Sequence, residues 1–332
     1  MPPAEALAPA LPTLLAYLDR EQPDVACAWD GWVIQPVGGG ANNRLYRATS
    51  AHADLAVKWT LRDERDRAGR EYAALALLER AGLALAPRAL LLDRERYRLP
   101  VVVQSWLAGE VLAGPPHMDD DWAALVGHLA AFHTATAARP RPDLADAVIT
   151  ASSGQQGKAL VAHHAARLPA EAQPLALRRL LARFEAWTPS SWPAPPRALC
   201  RTDANWRNFL RRPGVWASVD WENSGRGDPA FDLADLLTHP AYAAVPSERW
   251  PWVVERYAGA VGDRWLQRRV WTYELVLRVW WAVRWARTLY EVPRGLDPRL
   301  AGRSPTWQRD AEEAFAHAVE RAARLLEVGG VR

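Results

Sequence analysis

Cys200-Arg201-Thr202-Asp203-Ala204-Asn205-Trp206-Arg207-Asn208-Phe209-Leu210, with Val219-Asp220-Trp221-Glu222 shortly after it, decides how this chain is read. Asp203 is followed five residues later by Asn208, and Asp220 comes after a short strand–turn–strand texture. Phosphoryl transfer to a hydroxyl requires this set. One carboxylate accepts the hydroxyl proton, while an amide oxygen and a second carboxylate hold Mg²⁺ against the phosphates of a nucleotide. Mg²⁺ is a hard cation that takes oxygen ligands, so Asn and Asp are suitable residue types. Alone, D-x-x-x-x-N is more often a loop whose Asx side chains cap turns, so the surrounding chain has to decide.

Downstream the chain runs Val219-Asp220-Trp221-Glu222-Asn223-Ser224-Gly225-Arg226-Gly227-Asp228-Pro229-Ala230-Phe231-Asp232-Leu233-Ala234. This resembles the hallmark of the aminoglycoside phosphotransferase and choline kinase superfamily: an H-G-D-x-x-x-x-N loop, an I/V-D-W/F-E strand end and G-D-P-x-x-D-L-A. The match is continuous over residues 200–234, and weaker similarity extends it over 36–240. The resemblance implies that Asp203 is the catalytic base, that Asn208 and Asp220 are Mg²⁺ ligands, and that Asp228 and Asp232 brace the site. Glu222 would be an outer contact of metal or acceptor.

The resemblance extends upstream. Lys58, in Leu55-Ala56-Val57-Lys58-Trp59, resembles the strand lysine that binds the α- and β-phosphates, and Glu71, thirteen residues on, its ion-pair partner. Gly38-Gly39-Gly40-Ala41-Asn42-Asn43 resembles the nucleotide-binding loop, in which glycines let backbone N–H groups approach phosphate and Asn42 or Asn43 adds donors. Val101-Val102-Val103-Gln104-Ser105-Trp106-Leu107 looks like the last strand and hinge, with backbone groups from Gln104 to Trp106 facing adenine. Leu129-Ala130-Ala131-Phe132-His133 resembles the family's L-x-x-L-H helix, and His133 reads as structural. One departure stands beside the base: Arg201-Thr202 replaces the usual His-Gly. A fixed cation there is expected to stabilise the Asp203 carboxylate and lower its basicity.

The texture of the chain agrees with that architecture. Residues 11–20 read as a short helix, 31–60 as short β-leaning runs, 63–81 as a strong helix stopped at Gly82, and 89–93 and 100–104 as two more strands. After about 110 the chain turns helical. Asp119-Asp120-Asp121 opens a helix through Ala138, another helix covers 170–187, residues 198–222 form short strands around a loop, and the last helix starts at Ser304-Pro305 and stops at Gly329-Gly330. The expected fold is therefore α+β and bilobal, protein-kinase-like. A nucleotide-binding lobe, 1–107, holds a small antiparallel sheet with one main helix, and a catalytic and acceptor-binding lobe, 108–332, is mostly helical.

Composition narrows the class. The 332 residues are 49% hydrophobic and 24% charged, enough for a sizeable core. Net charge is +3, with basic and acidic residues interleaved, so nucleic-acid binding lacks its single-sign stripe. Two cysteines form no disulfide framework or metal spacing. The apolar stretch 271–290 carries Glu274, Arg278, Arg284 and Arg287, a costly membrane span. A cytoplasmic protein is expected.

The acceptor should meet the late helices, which are rich in aromatics: Trp265, Trp271, Tyr273, Trp280, Trp281, Trp285 and Tyr290. Most read as core. A sharper reading makes some of them a wall for a cationic or ring-bearing acceptor, such as a choline-like amino alcohol, a sugar or an aminoglycoside. The activity expected is ATP-dependent phosphorylation of a small-molecule hydroxyl. The alternative is a pseudokinase that senses nucleotide or ligand, motivated by Arg201-Thr202. Protein phosphorylation is disfavoured, because G-D-P-x-x-D-L-A stands in place of a long activation segment.

Overall fold

The computed structural model describes residues 10–38, 43–138, 144–212, 215–297 and 302–327. Its N-terminal part is a six-stranded antiparallel sheet in the order β1-β2-β3-β4-β6-β5. The strands are β1 (Cys27–Trp29), β2 (Trp32–Val37), β3 (Asn43–Thr49), β4 (Asp54–Thr60), β5 (Ala89–Asp93) and β6 (Val101–Ser105). The β1–β2 hairpin closes on Asp30-Gly31, both at positive φ, as a two-residue turn between right-twisting strands requires. α1 (Leu11–Glu21) lays Leu11, Leu14, Leu15 and Leu18 against Trp32, Ile34 and Leu55 on one face of the sheet. Between β4 and β5 runs α2 (Arg67–Arg80), whose Ala74, Leu75, Leu77 and Leu78 join the core of the C-terminal part. That helix therefore belongs to the sheet by connection and to the other half by packing.

The remainder is helical around two small pieces of sheet: β7 (Glu110–Val111) with β9 (Phe209–Arg211) and β10 (Ala217–Ser218), and β8 (Ala198–Cys200) with β11 (Gly225–Gly227). Its helices are α3 (Asp119–Ala137), α4 (Gly154–Ala165), α5 (Leu175–Ala186), α6 (Pro229–Thr238), α7 (Arg249–Val261), α8 (Leu266–Glu291) and α9 (Trp307–Glu327). α8 is buried around most of its circumference, between α6, α4 and α9, which is why its aromatic and charged residues follow no single amphipathic stripe. No helix among the described residues is long and apolar enough to cross a membrane.

Three boundaries differ from the sequence reading. The helix expected over 170–187 is a short turn, Ala170–Ala172, followed by α5, because Pro174 cannot continue a helix. α4 escaped the sequence reading: Gly154 and Gly157 weaken its helical signal, and its start is fixed by the Ser153 hydroxyl accepting from the Gln156 N–H at 3.2 Å. The last helix begins at Trp307, since Ser304 and Pro305 lie in a preceding turn closed by Trp307 N–H on the Ser304 carbonyl at 3.1 Å. Its expected stop, Gly329-Gly330, lies outside the described residues.

Candidate active site

The loop between β8 and β9 hangs from carboxylates on α6. Asp232 Oδ2 accepts from the Arg201 N–H at 2.9 Å and Oδ1 from the Thr202 N–H at 2.7 Å, while Asp235 accepts from the Ala204 N–H at 3.0 Å. His133 on α3 meets Asp232 through Nε2 at 3.0 Å and the Tyr257 hydroxyl through Nδ1 at 2.7 Å. Burial alone would raise the Asp232 carboxyl, but the His133 contact and the two N–H donors hold it below the ordinary carboxylate value. Asp228 caps α6 by accepting from the Ala230 N–H at 2.9 Å, and it also takes the Arg269 guanidinium and the Tyr273 hydroxyl, each at 3.0 Å. β11 requires glycine at its first position, since a Cβ on Gly225 would lie 2.5 Å from the Ala145 carbonyl oxygen.

The loop presents Asp203 with its side chain 25% exposed. Its Oδ1 accepts from the Asn205 N–H at 3.3 Å and its Oδ2 from Asn223 Nδ2 at 3.4 Å. Burial, then the neighbouring Asp220 charge, push the Asp203 carboxyl up to about 6, against the opposing pull of Arg201. The sequence argument expected the reverse. Arg201 does lower the value, but its guanidinium is only 2% exposed and turned to backbone. Nη2 donates to the carbonyls of Val219 at 2.9 Å and Asp220 at 3.4 Å, and the group lies over Trp221, 4.5 Å from the ring centroid. Arg201 thus ties the catalytic loop to the turn that carries Asp220. Thr202 takes a left-handed conformation with φ 52°. Asn208 is half-buried, and its carbonyl accepts from the Val219 N–H at 2.9 Å, setting it beside that same turn.

Across the cleft, Lys58 on β4 is buried and meets Glu71 of α2 at 2.6 Å, Asp220 at 2.5 Å and Glu222 at 3.4 Å. Burial would depress the ammonium, but Asp220, Glu71 and Glu222 together raise it well above its ordinary value. Asp220, although burial acts upward on it, is held low by Lys58. Glu222 lies between Lys58 and Arg67, which reaches it at 2.5 Å. Carboxylate oxygens of Glu71, Asp220 and Glu222 lie within 4.8 Å of one another. These donors are all oxygen, as would be the amide of Asn208, whose backbone lies against Val219, and such a set fits a hard divalent cation.

The other expected positions fall as follows. Gln104 is buried on β6, with Nε2 3.4 Å from Glu71 Oε1. Trp106 has its N–H on the Asp54 carbonyl at 2.8 Å and its ring beneath Arg47, so that donor of the hinge is already engaged. Gly38 follows β2, and Asn43 opens β3 opposite Thr60. Gly39, Gly40 and Asn42 lie outside the described residues. Of the late aromatics, Tyr273 is core and bonds Asp228, whereas Trp281 and Trp285 are half-buried and stack with centroids 6.0 Å apart.

Two residues went unnoticed in the sequence. Arg67 carries no motif, and only the fold brings it to Glu222. His239 follows α6, with Nε2 3.8 Å from Asp203 Oδ1 and Nδ1 accepting from the Ala241 N–H at 3.2 Å. Burial pushes this imidazole down to about 4, so it is neutral with its proton on Nε2, facing the base. No local pattern in Thr238-His239-Pro240 signals this.

With this geometry in place, comparison with known proteins assigns the class. A family model described as the phosphotransferase enzyme family matches residues 33–274, and the chain belongs to that family. It is a phosphotransferase with the bilobal kinase-like fold. A choline/ethanolamine kinase family protein from Mesorhizobium loti is 18% identical with a TM-score of 0.63, covering 96% of this chain and 99% of that one. A thermostable mutant of aminoglycoside phosphotransferase APH(4)-Ia is 13% identical with a TM-score of 0.60, covering 89% and 94%. Spectinomycin phosphotransferase, solved with ADP and spectinomycin, is 14% identical with a TM-score of 0.59, covering 96% and 98%. At such identities the likeness is one of fold. Among curated protein sequences no match is found.

Proposed function

We propose that the protein transfers the γ-phosphoryl group of ATP to a hydroxyl of a small molecule. The observation that carries this is the meeting of Lys58 with both Glu71 and Asp220. It joins the N-terminal sheet to the turn after the Asp203 loop, across the cleft where a nucleotide would lie. In this reading Asp203 accepts the acceptor's hydroxyl proton. The hydroxyl oxygen bonds to the γ-phosphorus, the bond from that phosphorus to the β–γ bridging oxygen breaks, and ADP leaves. Lys58 holds the α- and β-phosphates, Glu71 holds Lys58, and Asn208 and Asp220 supply oxygen ligands. A bound Mg²⁺ would contribute neutralisation of phosphate charge. The sequence Gly38 to Asn43 is assigned to phosphate binding by its glycines and asparagines, and the hinge from Gln104 to Trp106 contacts adenine through backbone groups other than the Ser105 and Trp106 N–H, which bond Arg88 and Asp54. The lobes divide at 107/108, and the free cysteines Cys27 and Cys200 fit a reducing, cytoplasmic setting.

The alternative, a nucleotide-sensing pseudokinase, drew on Arg201-Thr202. The placement of Arg201 on the Val219 and Asp220 carbonyls favours the enzyme, since that residue supports the loop without displacing Asp203, Asn208 or Asp220. Asp203→Asn is expected to lower phosphoryl transfer about 10²–10⁴-fold, the usual worth of a positioned general base, with Mg·ATP affinity little changed. Single-turnover kinetics and nucleotide titration read the two separately. Near wild-type transfer by the variant would remove Asp203 from its role, and Mg·ATP binding without transfer to any amine, sugar or antibiotic would favour the sensor.

A further inference from the structure

We propose, resting on the phosphotransferase reading above, that the pocket between the end of α6, α8 and α9 receives the acceptor, and that this acceptor is a ring-bearing alcohol without a positive charge. The stacked indoles of Trp281 and Trp285 form one wall, and His239, Tyr242, Arg278 and Arg321 supply polar lining. His239 connects this pocket to the chemistry, because its Nε2 stands 3.8 Å from Asp203 Oδ1.

Much of the polar lining offers hydrogens, although the Tyr242 hydroxyl and the His317 ring, also at this pocket, can accept as well as donate. Trp281 Nε1 can only donate, and it is buried with no hydrogen-bond partner among the described residues. Tyr242 is 2% exposed, and its hydroxyl is likewise without a partner among them. His239 presents Nε2–H, because Nδ1 is occupied as the acceptor from Ala241. The guanidiniums of Arg278 and Arg321 donate and cannot accept. Thr238, also at this pocket, already donates its hydroxyl to the Ala234 carbonyl at 2.9 Å. No carboxylate lines the pocket, and Glu274, which pairs with Arg278 at 2.8 Å, is not part of its wall.

An ammonium ligand has donors alone, so it would face the donors of Trp281 and His239 and find no carboxylate in the wall to receive it. The indole faces suit a cation or a ring equally well. The rest of the lining selects the ring, provided that it carries ether, hydroxyl, carbonyl or carboxylate oxygens to accept these hydrogens. The hydroxyl to be phosphorylated fits between His239 and the base. Its oxygen accepts from Nε2–H and bonds to the γ-phosphorus, its proton passes to Asp203 Oδ1, and the phosphorus–oxygen bond to ADP breaks.

The test uses the full chain saturated with Mg·AMP-PNP and three matched probes: phenyl β-D-glucuronide, phenyl β-D-glucoside and phenyl β-D-glucosaminide, with choline as a fourth. Calorimetry is expected to show the first two binding at least about tenfold more tightly than the amines. Trp281→Leu and the conservative Tyr242→Phe are each expected to weaken the glucoside by about three- to tenfold, the worth of one lost contact, with Mg·AMP-PNP affinity unchanged. Tighter binding of choline or the glucosaminide, no binding of either non-cationic glycoside, or indifference to both substitutions overturns the proposal while the phosphotransferase reading stands. Absence of Mg·AMP-PNP binding overturns both.

Discussion

Two buried polar clusters meet at the catalytic loop and are built in opposite ways. Beneath the loop, Asp232 takes two backbone N–H groups and His133, His133 takes the Tyr257 hydroxyl, and Asp228 takes Arg269, Tyr273 and the Ala230 N–H. Nearly all donors and acceptors there match, the exception being Arg269 Nε, which meets Asp228 Oδ2 at 3.0 Å as an ion pair without a hydrogen bond. In the cleft above, the carboxylates of Asp203, Asp220, Glu71 and Glu222 face Lys58 and Arg67, while Arg201 spends its Nη2 on backbone carbonyls. Glu222 Oε2, 3.4 Å from Lys58, and Asn223 Oδ1 are buried there without a hydrogen bond among the described residues. A closed network specifies a geometry, whereas an open one with surplus negative charge is incomplete until a cation and its phosphates arrive. The lower cluster supports the loop, and the upper one is the proposed site.

The contrast breaks most readily at the lower cluster. Asp232→Ala leaves His133 and two buried N–H groups without their acceptor, and it should cost about 3–5 kcal/mol of stability, as removal of one partner of a buried charged network does. Denaturant unfolding checks it. A loss under about 1 kcal/mol would mean that the loop is held by something else.

Asp203→Asn, in the upper cluster, should move stability the other way. The folded carboxyl sits at about 6 against an ordinary 3.8, so its ionised form is disfavoured in the fold. The raised carboxyl's contribution is therefore fully present below about pH 3.8, where both states are protonated, and is lost as pH rises through about 6. At pH 7–8 the neutral amide should be more stable than wild type by on the order of 1–2 kcal/mol, even as transfer collapses. The same ionisation runs opposite for activity: in wild type, kcat/KM should fall on the acid side of about pH 6, because only the carboxylate can take the proton. A variant less stable than wild type at pH 7–8 would mean that Asp203 belongs with the closed network.

The two clusters were unequally legible in the sequence. Asp203, Asn208, Asp220, Asp228 and Asp232 fall within one continuous segment, and a linear motif can carry them. Lys58 and Glu71 were readable because a strand and the next helix keep the pair at fixed spacing, and the fold delivers it at 2.6 Å. His239 and Arg67 were not readable, since their partners lie 36 and 155 residues away and nothing local distinguishes them from a helix cap and a surface arginine. The direction of the Asp203 shift was missed for a related reason. Sequence adjacency suggested the Arg201 charge, but burial and Asp220, both products of the fold, outweigh it. Of the late aromatics the sequence read most as core, as Tyr273 is, but it could not show that Trp281 and Trp285 front a pocket.

The smallest expected effect lies where the two clusters touch, at Thr202. A β-branched residue at φ 52° carries a strain of about 1–3 kcal/mol, and glycine would relieve it. Against that, Thr202 Oγ1 donates to the Asn223 carbonyl at 3.0 Å, a bond worth about 0.5–1.5 kcal/mol, and glycine adds about 0.4–1 kcal/mol of freedom to the unfolded chain. Thr202→Gly should thus lie within about 1 kcal/mol of wild type, because the opposing contributions are of similar size. Thr202→Ala loses the same hydroxyl bond but keeps a Cβ in the left-handed region, so it should be the less stable of the two. Both retain the N–H that Asp232 accepts at 2.7 Å, which keeps the loop in place and lets denaturant midpoints be compared directly. If glycine proved less stable than alanine, the backbone at 202 would be carrying no strain.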